Sequence, residues 1–470
     1  MDPISHPKSV PELGLGGFPT GTIRVPELRN IPITDRVVAI IDHPAFQRLR
    51  RVRMLGPTYL VYPGAMHSRF EHSLGVYGCV QWYLHSLLRR PSFADAADEE
   101  DLLTVLAAGL LHDIGHYPFA HSLEALHLKG QDAPRHEDVG GRIIHGEFPD
   151  LRGEKTIAEL LRKRWDIDPD RVIRLCTGHL GEAPSQMDRI LHSIISSTLD
   201  ADKMDYLERD SHHMGVPYGR NYDRDRLLAS LTLNQSEDTI AVSSKGKISA
   251  EMFVFARYTM FSEVYWHHTV RAASAMVENG LAAFHSRGTI DPEAFLIRLL
   301  GHDDEALLRW LFETTPRQSA THYLIAGLLP HQRHLYKRLA TYSRAYVEES
   351  KKRAYERIYA MDRSALFDLT SRLTARLSSL VGRPLHPADL IIDIPPRDKD
   401  RLESVDVVFP DATGVRFYPL HELSRIVAGI QEDFVGFVKK IRIFASPDLA
   451  RELRAHQGLE TALLSEILRT

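Results

Sequence analysis

The sequence predicts a mainly α chain, with a helical core of enzyme size and a smaller C-terminal α+β lobe. Three observations carry that prediction. Apolar residues recur at threes and fours through Val381, the period of helices packed on one face. The texture then changes to short alternating runs: Leu390-Ile-Ile-Asp-Ile, Val405-Asp-Val-Val-Phe, Gly414-Val-Arg-Phe-Tyr and Ile441-Arg-Ile-Phe. Finally, 470 residues exceed what one ordinary core accommodates. The expected division is an irregular arm at 1–31, the helical core at 32–385 and the lobe at 386–470.

The arm follows from the glycines and prolines crowded between Pro11 and Pro26. Its Gly-x-Gly-Gly at Gly14 follows no strand and opens no helix, so it is not a dinucleotide loop. From Thr34 the helical period begins, with Asp42 and Pro44 marking a break. One long helix is expected over Ser68–Arg89 and another, apolar nearly all round, over Asp101–His112. Further helices are expected from Met187 to His212 and from Ala250 to Phe284. Between those two, Thr239–Val242 and Lys247–Ser249 flank Ser-Ser-Lys-Gly as a short hairpin signal.

Composition narrows the function. Apolar residues are 43% and charged residues 26%, the profile of a folded protein. Lys plus Arg number 58 against 62 for Asp plus Glu, so no basic field holds a nucleic acid and any anion site must be local. Cys79 and Cys176 alone build neither a disulfide framework nor a cysteine zinc cage, which fits a reducing cytoplasm. Met1–Lys8 lacks the signature of a signal peptide, and no apolar window approaches the ~18 residues of a spanning helix. The expected location is the cytosol, with no membrane partner.

Histidine placement carries the chemistry. The apolar helix ends in Leu111-His112-Asp113-Ile114-Gly115-His116. Burying His beside Asp costs several kcal/mol unless something satisfies both, and a divalent cation does so. An ordinary dipeptide is the competing reading, and His302-Asp303 in an acidic loop is an internal control for it. Further ligands must come from distant segments: His72 in Arg69-Phe-Glu-His-Ser-Leu-Gly, and Asp202 in Asp200-Ala-Asp-Lys-Met-Asp-Tyr. Such separations exclude the compact HExxH zincin. Asp202, Tyr206 and Asp210 stand at i, i+4 and i+8, on one face of a buried helix, where they line a cavity or end in solvent. Arg69, Lys203 and Arg257 are candidates for phosphate contacts, or else surface cations. Arg48, Arg50, Arg51 and Arg53 read by charge alone as a solvated helix face.

The ordered set His72, His112-Asp113 and Asp202 resembles the signature of HD-domain phosphohydrolases. Arg69-Phe-Glu-His-Ser-Leu-Gly-Val, Leu111-His-Asp-Ile-Gly-His-x-Pro-Phe-x-His and Asp200-Ala-Asp-Lys-Met-Asp-Tyr-Leu-x-Arg-Asp-x-His-His-Met-Gly are similar, in particular, to the deoxynucleoside triphosphate triphosphohydrolase branch. That branch includes the animal sterile-alpha-motif HD enzyme and bacterial relatives. The resemblance runs from Pro32, weakening, through Phe284, and returns in the strands from Val405 to Pro447.

The resemblance implies an HD-domain helical core and hydrolysis of a dNTP to a deoxynucleoside and tripolyphosphate. It implies His72, His112, Asp113 and Asp202 as ligands of one divalent transition metal; the donor types admit Fe, Mn, Zn or Ni, with Mg on the substrate phosphates. His116, Glu124 and His136 match the catalytic network, with Glu124 where animal members often have Asp, and His121 matches the acid that protonates the leaving 5′ oxygen. Arg69, Lys203 and Arg257 match phosphate contacts, Tyr206 and Asp210 contacts to the sugar 3′-hydroxyl, and Tyr265 the aromatic that crowds a ribose 2′-hydroxyl; Leu55 completes the substrate set. Asp42, Gln47 and Arg50 match residues that bind an activating guanine nucleotide between subunits of a homodimer or homotetramer. Two departures stand out. Met54 replaces a glutamine near the sugar, and Val25-Pro-Glu-Leu-Arg replaces Asp-Pro-Ile-His-Gly near the effector. Another HD chemistry, as a nucleotidase or single-strand nuclease, and a nucleotide sensor without turnover remain as alternatives.

Overall fold

A computed structural model describes residues 8–27, 29–124, 127–128, 131–132, 134–286, 291–395, 405–411, 414–454 and 456–469. The chain is mainly helical, with small sheets of two to four strands. Its centre is the Arg69–Leu87 helix, buried on nearly every side. Ser68 caps it by accepting from the Glu71 amide. The Glu99–Leu111 helix packs along it, started by a reciprocal capping box of Asp98 and Asp101 at 2.8 and 2.9 Å. The Ala201–Met214 helix packs on it too, so the three segments carrying the Sequence motifs meet at one core.

Several expected elements are divided. The helix expected over Met187–His212 is two, Gln186–Ile195 and Ala201–Met214. Asp200 is the cause: its carboxylate accepts from the amides of Ser197 at 2.8 Å and Lys203 at 2.6 Å, which restarts the helix. Asp202 therefore lies in a first helical turn. The helix expected over Ala250–Phe284 is likewise Lys247–Met260 and His268–His285, separated by a wide π-type turn at Phe261–Tyr265. The hairpin expected around Ser-Ser-Lys-Gly lies earlier, with Leu231–Leu233 pairing Ile240–Ser243, while Lys247 already opens a helix.

The arm is not wholly irregular: Gly21–Val25 and Arg29–Ile33 form an antiparallel hairpin that buries Val25, Ile31 and Ile33. Residues on both sides of position 385 share the cores. Asp406–Asp411 pairs in parallel with Ile240–Ser243 and antiparallel with Gly414–Pro419. Ile441–Ala445 runs between Lys337–Tyr342 and Leu390–Asp393, over a second core that includes Tyr355, Leu373 and Leu463. Among the described residues no helix is long and apolar enough to cross a membrane, and Cys79 and Cys176 are free thiols.

Candidate metal centre and nucleotide site

The four expected ligands converge. His72 Nε2 lies 3.0 Å from Asp202 Oδ1, 3.3 Å from His112 Nε2 and 3.7 Å from Asp113 Oδ2. His112 Nε2 lies 3.5 Å from Asp113 Oδ1 and 3.8 Å from Asp202 Oδ1. The other ring nitrogen of each histidine is engaged: His72 Nδ1 donates to Asp205 Oδ2 at 2.8 Å, and His112 Nδ1 to the Gly109 carbonyl at 2.9 Å. Those oxygens accept only, so unless a proton or a cation sits between them the two rings would face each other with bare Nε2 lone pairs. Two lone pairs and two carboxylates aimed at one point call for a cation, and outer acceptors on both Nδ1 atoms are how proteins orient metal-binding histidines. Without a metal a proton must serve. Burial pulls the His72 pKa down, but its bonds to Asp202 and Asp205 and the charges of Asp113 and Asp205 override this and raise it to about 10. Burial likewise opposes ionisation of Asp202, yet His72, His112 and Lys203 lower its pKa to about 2. The donor set fits a divalent transition metal.

Asp113 also accepts from Arg69 Nη1 at 2.6 Å, which places a buried cation against the same point. Beyond it, His116, His121 and His136 bring one nitrogen each within 4.8 Å of one another. Glu124 orients two of them: its Oε1 accepts from the His136 amide at 2.8 Å and His136 Nδ1 at 2.7 Å, and its Oε2 lies 3.4 Å from His121 Nδ1. Burial raises the Glu124 pKa, but bonds and charges of both histidines outweigh that and hold it far below the carboxylate range. Burial, reinforced by Arg69, drives the His116 pKa well below its usual value, so this ring is neutral. Gly115 makes the cluster sterically feasible: a Cβ there would stand 1.9 Å from the His136 carbonyl.

Tyr206, Asp210 and Tyr265 form a further group, reached along the helix that bears Asp202. Tyr265 donates to Asp210 Oδ2 at 2.6 Å, and its ring centroid lies 6.4 Å from that of Tyr206. The wide turn at Phe261–Tyr265 brings Tyr265 to Asp210, so the division of the expected helix serves the site. Burial raises the Tyr206 pKa to about 12 despite the positive charges of Arg257 and Lys203 nearby. Lys203 Nζ donates to Asp200 Oδ2 at 2.7 Å, while Arg257 Nε is buried without a hydrogen-bond partner among the described residues. Leu55 packs on the core beside Gly56, whose Cβ would meet the Phe119 ring at 3.2 Å. Met54 stays close too, its carbonyl 3.4 Å from Arg69 Nη2.

The effector candidates form a separate group. Arg50 Nε donates to Gln47 Oε1 at 2.7 Å, and the Arg50 guanidinium stacks 3.6 Å from the Phe70 ring centroid. Gln47 Nε2 donates to the Ile41 carbonyl at 2.8 Å, next to Asp42 at the end of the Asp35–Ile41 helix. The arginine cluster is not one solvated face. Arg48 is half-buried, and the partial burial of its guanidinium lowers its pKa to about 10. Its Nη1 donates to the His116 carbonyl at 2.7 Å and its Nη2 to the Ile114 carbonyl at 2.8 Å. Arg51 and Arg53 pair with Asp303 and Glu305. The control dipeptide behaves as structure: Asp303 caps the Asp304–Thr314 helix and His302 Nδ1 bonds the Arg298 carbonyl. Asp205, Arg48 and His67 were missed by sequence reasoning. Only Asp205 carried a signal, standing three residues past Asp202 and so near its helix face.

Comparison with known proteins gives this geometry a family. An HD domain model matches residues 69–210, which span all four converging ligands, and an HD associated region model matches 222–452. An uncharacterised protein of Methanocaldococcus jannaschii, MJ1154, is 30% identical over 91% of this chain and 79% of its own length. The chain belongs to the HD-domain family. YwfO of Bacillus subtilis, also uncharacterised, is 36% identical over 54% of this HD-domain chain, a match spanning only 53% of that relative's length. The deoxynucleoside triphosphate triphosphohydrolase SAMHD1 of Xenopus laevis is 26% identical over 83% of this chain and 64% of its own. Among solved structures, a hypothetical protein from Aquifex aeolicus superposes with a TM-score of 0.61 at 25% identity, covering 95% of this chain and 99% of its own.

Proposed function

We propose that this HD-domain phosphohydrolase cleaves deoxynucleoside triphosphates to a deoxynucleoside and tripolyphosphate. The observation that carries the reading is the single helix face bearing Asp202, Tyr206 and Asp210. It runs about 12 Å, at 1.5 Å per residue, from the converging ligands to the Asp210–Tyr265 pair. Such a face suits a ligand with phosphate at one end and a sugar hydroxyl at the other. The likeness to SAMHD1 supports the same substrate class.

When bound by His72, His112, Asp113 and Asp202, a divalent transition metal supplies positive charge to a phosphate oxygen and lowers the pKa of a water. The side chains do the rest. Arg69, fixed on Asp113, meets charge developing at the α-phosphate. Arg257 and Lys203 hold the outer phosphates, which also carry Mg. Water attacks the α-phosphorus and the bond to the 5′ oxygen breaks. Neutral His116, with His136 and Glu124 behind it, accepts the proton the water sheds, and His121 delivers one to the departing 5′ oxygen. Tyr206 and Asp210 orient the 3′-hydroxyl, Leu55 packs near the sugar, and Tyr265 excludes a ribose 2′-hydroxyl. Met54 offers no side-chain amide there, so discrimination rests on Tyr265 and Asp210. Asp42, Gln47 and Arg50 offer a nucleotide activator its contacts in a cytoplasmic homodimer or homotetramer.

The test is chromatography after incubation with each dNTP and with GTP, singly and in pairs, at defined metal content. Tripolyphosphate with free deoxynucleoside supports the reading. Orthophosphate, pyrophosphate or shortened oligonucleotide instead means another HD chemistry, and binding without product means a sensor.

A further inference from the structure

We propose that His67 is a positioning residue that fixes the Asp210 carboxylate, so that recognition of a sugar 3′-hydroxyl depends on an imidazole that does not itself touch substrate. The inference rests on the triphosphohydrolase reading and adds a specificity device to it. His67 is buried, and its Nε2 donates to Asp210 Oδ1 at 2.7 Å. Tyr265 donates to the other oxygen, Oδ2, at 2.6 Å. Held at both oxygens, the carboxylate cannot rotate, and each oxygen keeps a lone pair for an incoming hydroxyl.

The imidazole carries a cost in stability. Its Nδ1 is buried with no hydrogen-bond partner among the described residues, and a buried polar atom left unsatisfied forfeits its hydration. Its surroundings lock its orientation. The ring stacks on His213 with centroids 4.3 Å apart and planes 13° apart. Gly64 lets the preceding loop lie against that helix, since a Cβ there would fall 2.0 Å from the His213 carbonyl. His213 Nε2 lies 3.2 Å from Glu71 Oε1, which also accepts from Arg209 Nη1 at 2.6 Å. Arg209 grips Asp205 at 2.8 and 2.6 Å, and Asp205 accepts from His72 Nδ1. One train of contacts, partly exposed at His213 and Glu71, thus joins a candidate metal ligand to the sugar-side carboxylate.

The experiment compares His67→Phe, which keeps a ring but loses the donor, with His67→Gln, which keeps a donor. Each is assayed on a 2′-deoxynucleoside triphosphate and its 2′,3′-dideoxy analogue, alongside metal content. With wild-type metal content, His67→Phe is expected to lower kcat/KM for the deoxy substrate by about tenfold to a hundredfold, chiefly through KM, and to leave the dideoxy substrate nearly unchanged. His67→Gln should recover most of the preference. His213→Ala, at a partly exposed ring, should move the same ratio less and stands in if His67→Phe does not fold. An unmoved ratio in His67→Phe, or in His213→Ala if it replaces it, overturns the proposal. So does an equal loss on both substrates that Gln does not recover. Wild-type protein releasing no tripolyphosphate overturns the parent reading, and this one with it.

Discussion

Arg48 holds the carbonyl of His116 at 2.7 Å with one end of its guanidinium and that of Ile114 at 2.8 Å with the other, so a half-buried cation clamps the backbone of the HD turn. Both carbonyls lie just past a helix end, where no intrahelical donor reaches them.

Arg48→Lys tests that clamp. A lysine offers one point charge where the fork spans two carbonyls. Each lost charge-assisted bond costs about 1.5–3 kcal/mol, and displacing His116 or Asp113 by ~1 Å costs roughly 10²-fold in rate. The expected outcome is a lowered melting temperature with kcat down about a hundredfold. Circular dichroism melts and steady-state assays read both; a variant with wild-type kcat removes Arg48 from any role in shaping the turn.

Gly115→Ala isolates the close approach of His136. Its Cβ would stand 1.9 Å from the His136 carbonyl and 2.3 Å from the Gly140 amide, both backbone atoms, so the Glu124–His136 pair must move. Overpacking of this kind costs about 1–3 kcal/mol or more. Activity should fall by at least tenfold, whereas Gly429→Ala, in a helix with open space around it, should raise stability by about 0.5–1 kcal/mol. Equal behaviour of the two alanines would discard the steric account.

These two residues show where sequence reasoning succeeds and where it stops. Gly115 sits inside a motif; His112-Asp113 was legible because burying His beside Asp demands a reason, and the full set of four candidate ligands followed from the family resemblance. Arg48 was not legible: four arginines within six positions look like a charged face, and only the tertiary path of residues 112–116 turns one of them inward. Asp200 shows the same limit. Its role as an N-cap divides an apolar pattern that reads as one continuous helix. The parallel pairing of Val242 with Val407 spans too much chain for periodicity to foresee.

Asp304 sets a pH signature. Burial raises its pKa to about 6, against the attractions of the Arg53 amide and guanidinium. In the unfolded chain the value is about 3.9, so between pH 4 and 6 the folded protein binds the extra proton. Stability contributed by this group is thus present at the acid side of that window and lost as pH rises through 6, by about 3 kcal/mol. Asp304→Asn keeps an acceptor for the Arg53 amide, 3.0 Å away, and abolishes the titration. Urea unfolding of both proteins at pH 4.5 and 7.5 should show the variant gaining on wild type by about 2 kcal/mol at the higher pH. A constant difference means that Asp304 ionises as freely folded as unfolded.

Metal removal should be felt in stability as well as in turnover. The bare Nε2 atoms of His72 and His112, 3.3 Å apart beside Asp113 and Asp202, lose their common cation on chelation and must recruit a proton instead. A ligand at 100 to 1,000 times its Kd stabilises the fold by about 2.7–4.1 kcal/mol. In a chain of this length that shifts the melting temperature by several degrees. Wild-type protein should therefore melt lower after chelation and recover when Mn or Fe is restored, while His112→Ala melts at one temperature under both conditions. Asp205→Asn should fall between, with metal affinity weaker by 10- to 100-fold, because it loosens His72 and leaves all four ligands in place. A wild-type melt indifferent to chelation, in protein shown by elemental analysis to have lost its metal, would place the cation outside this cluster.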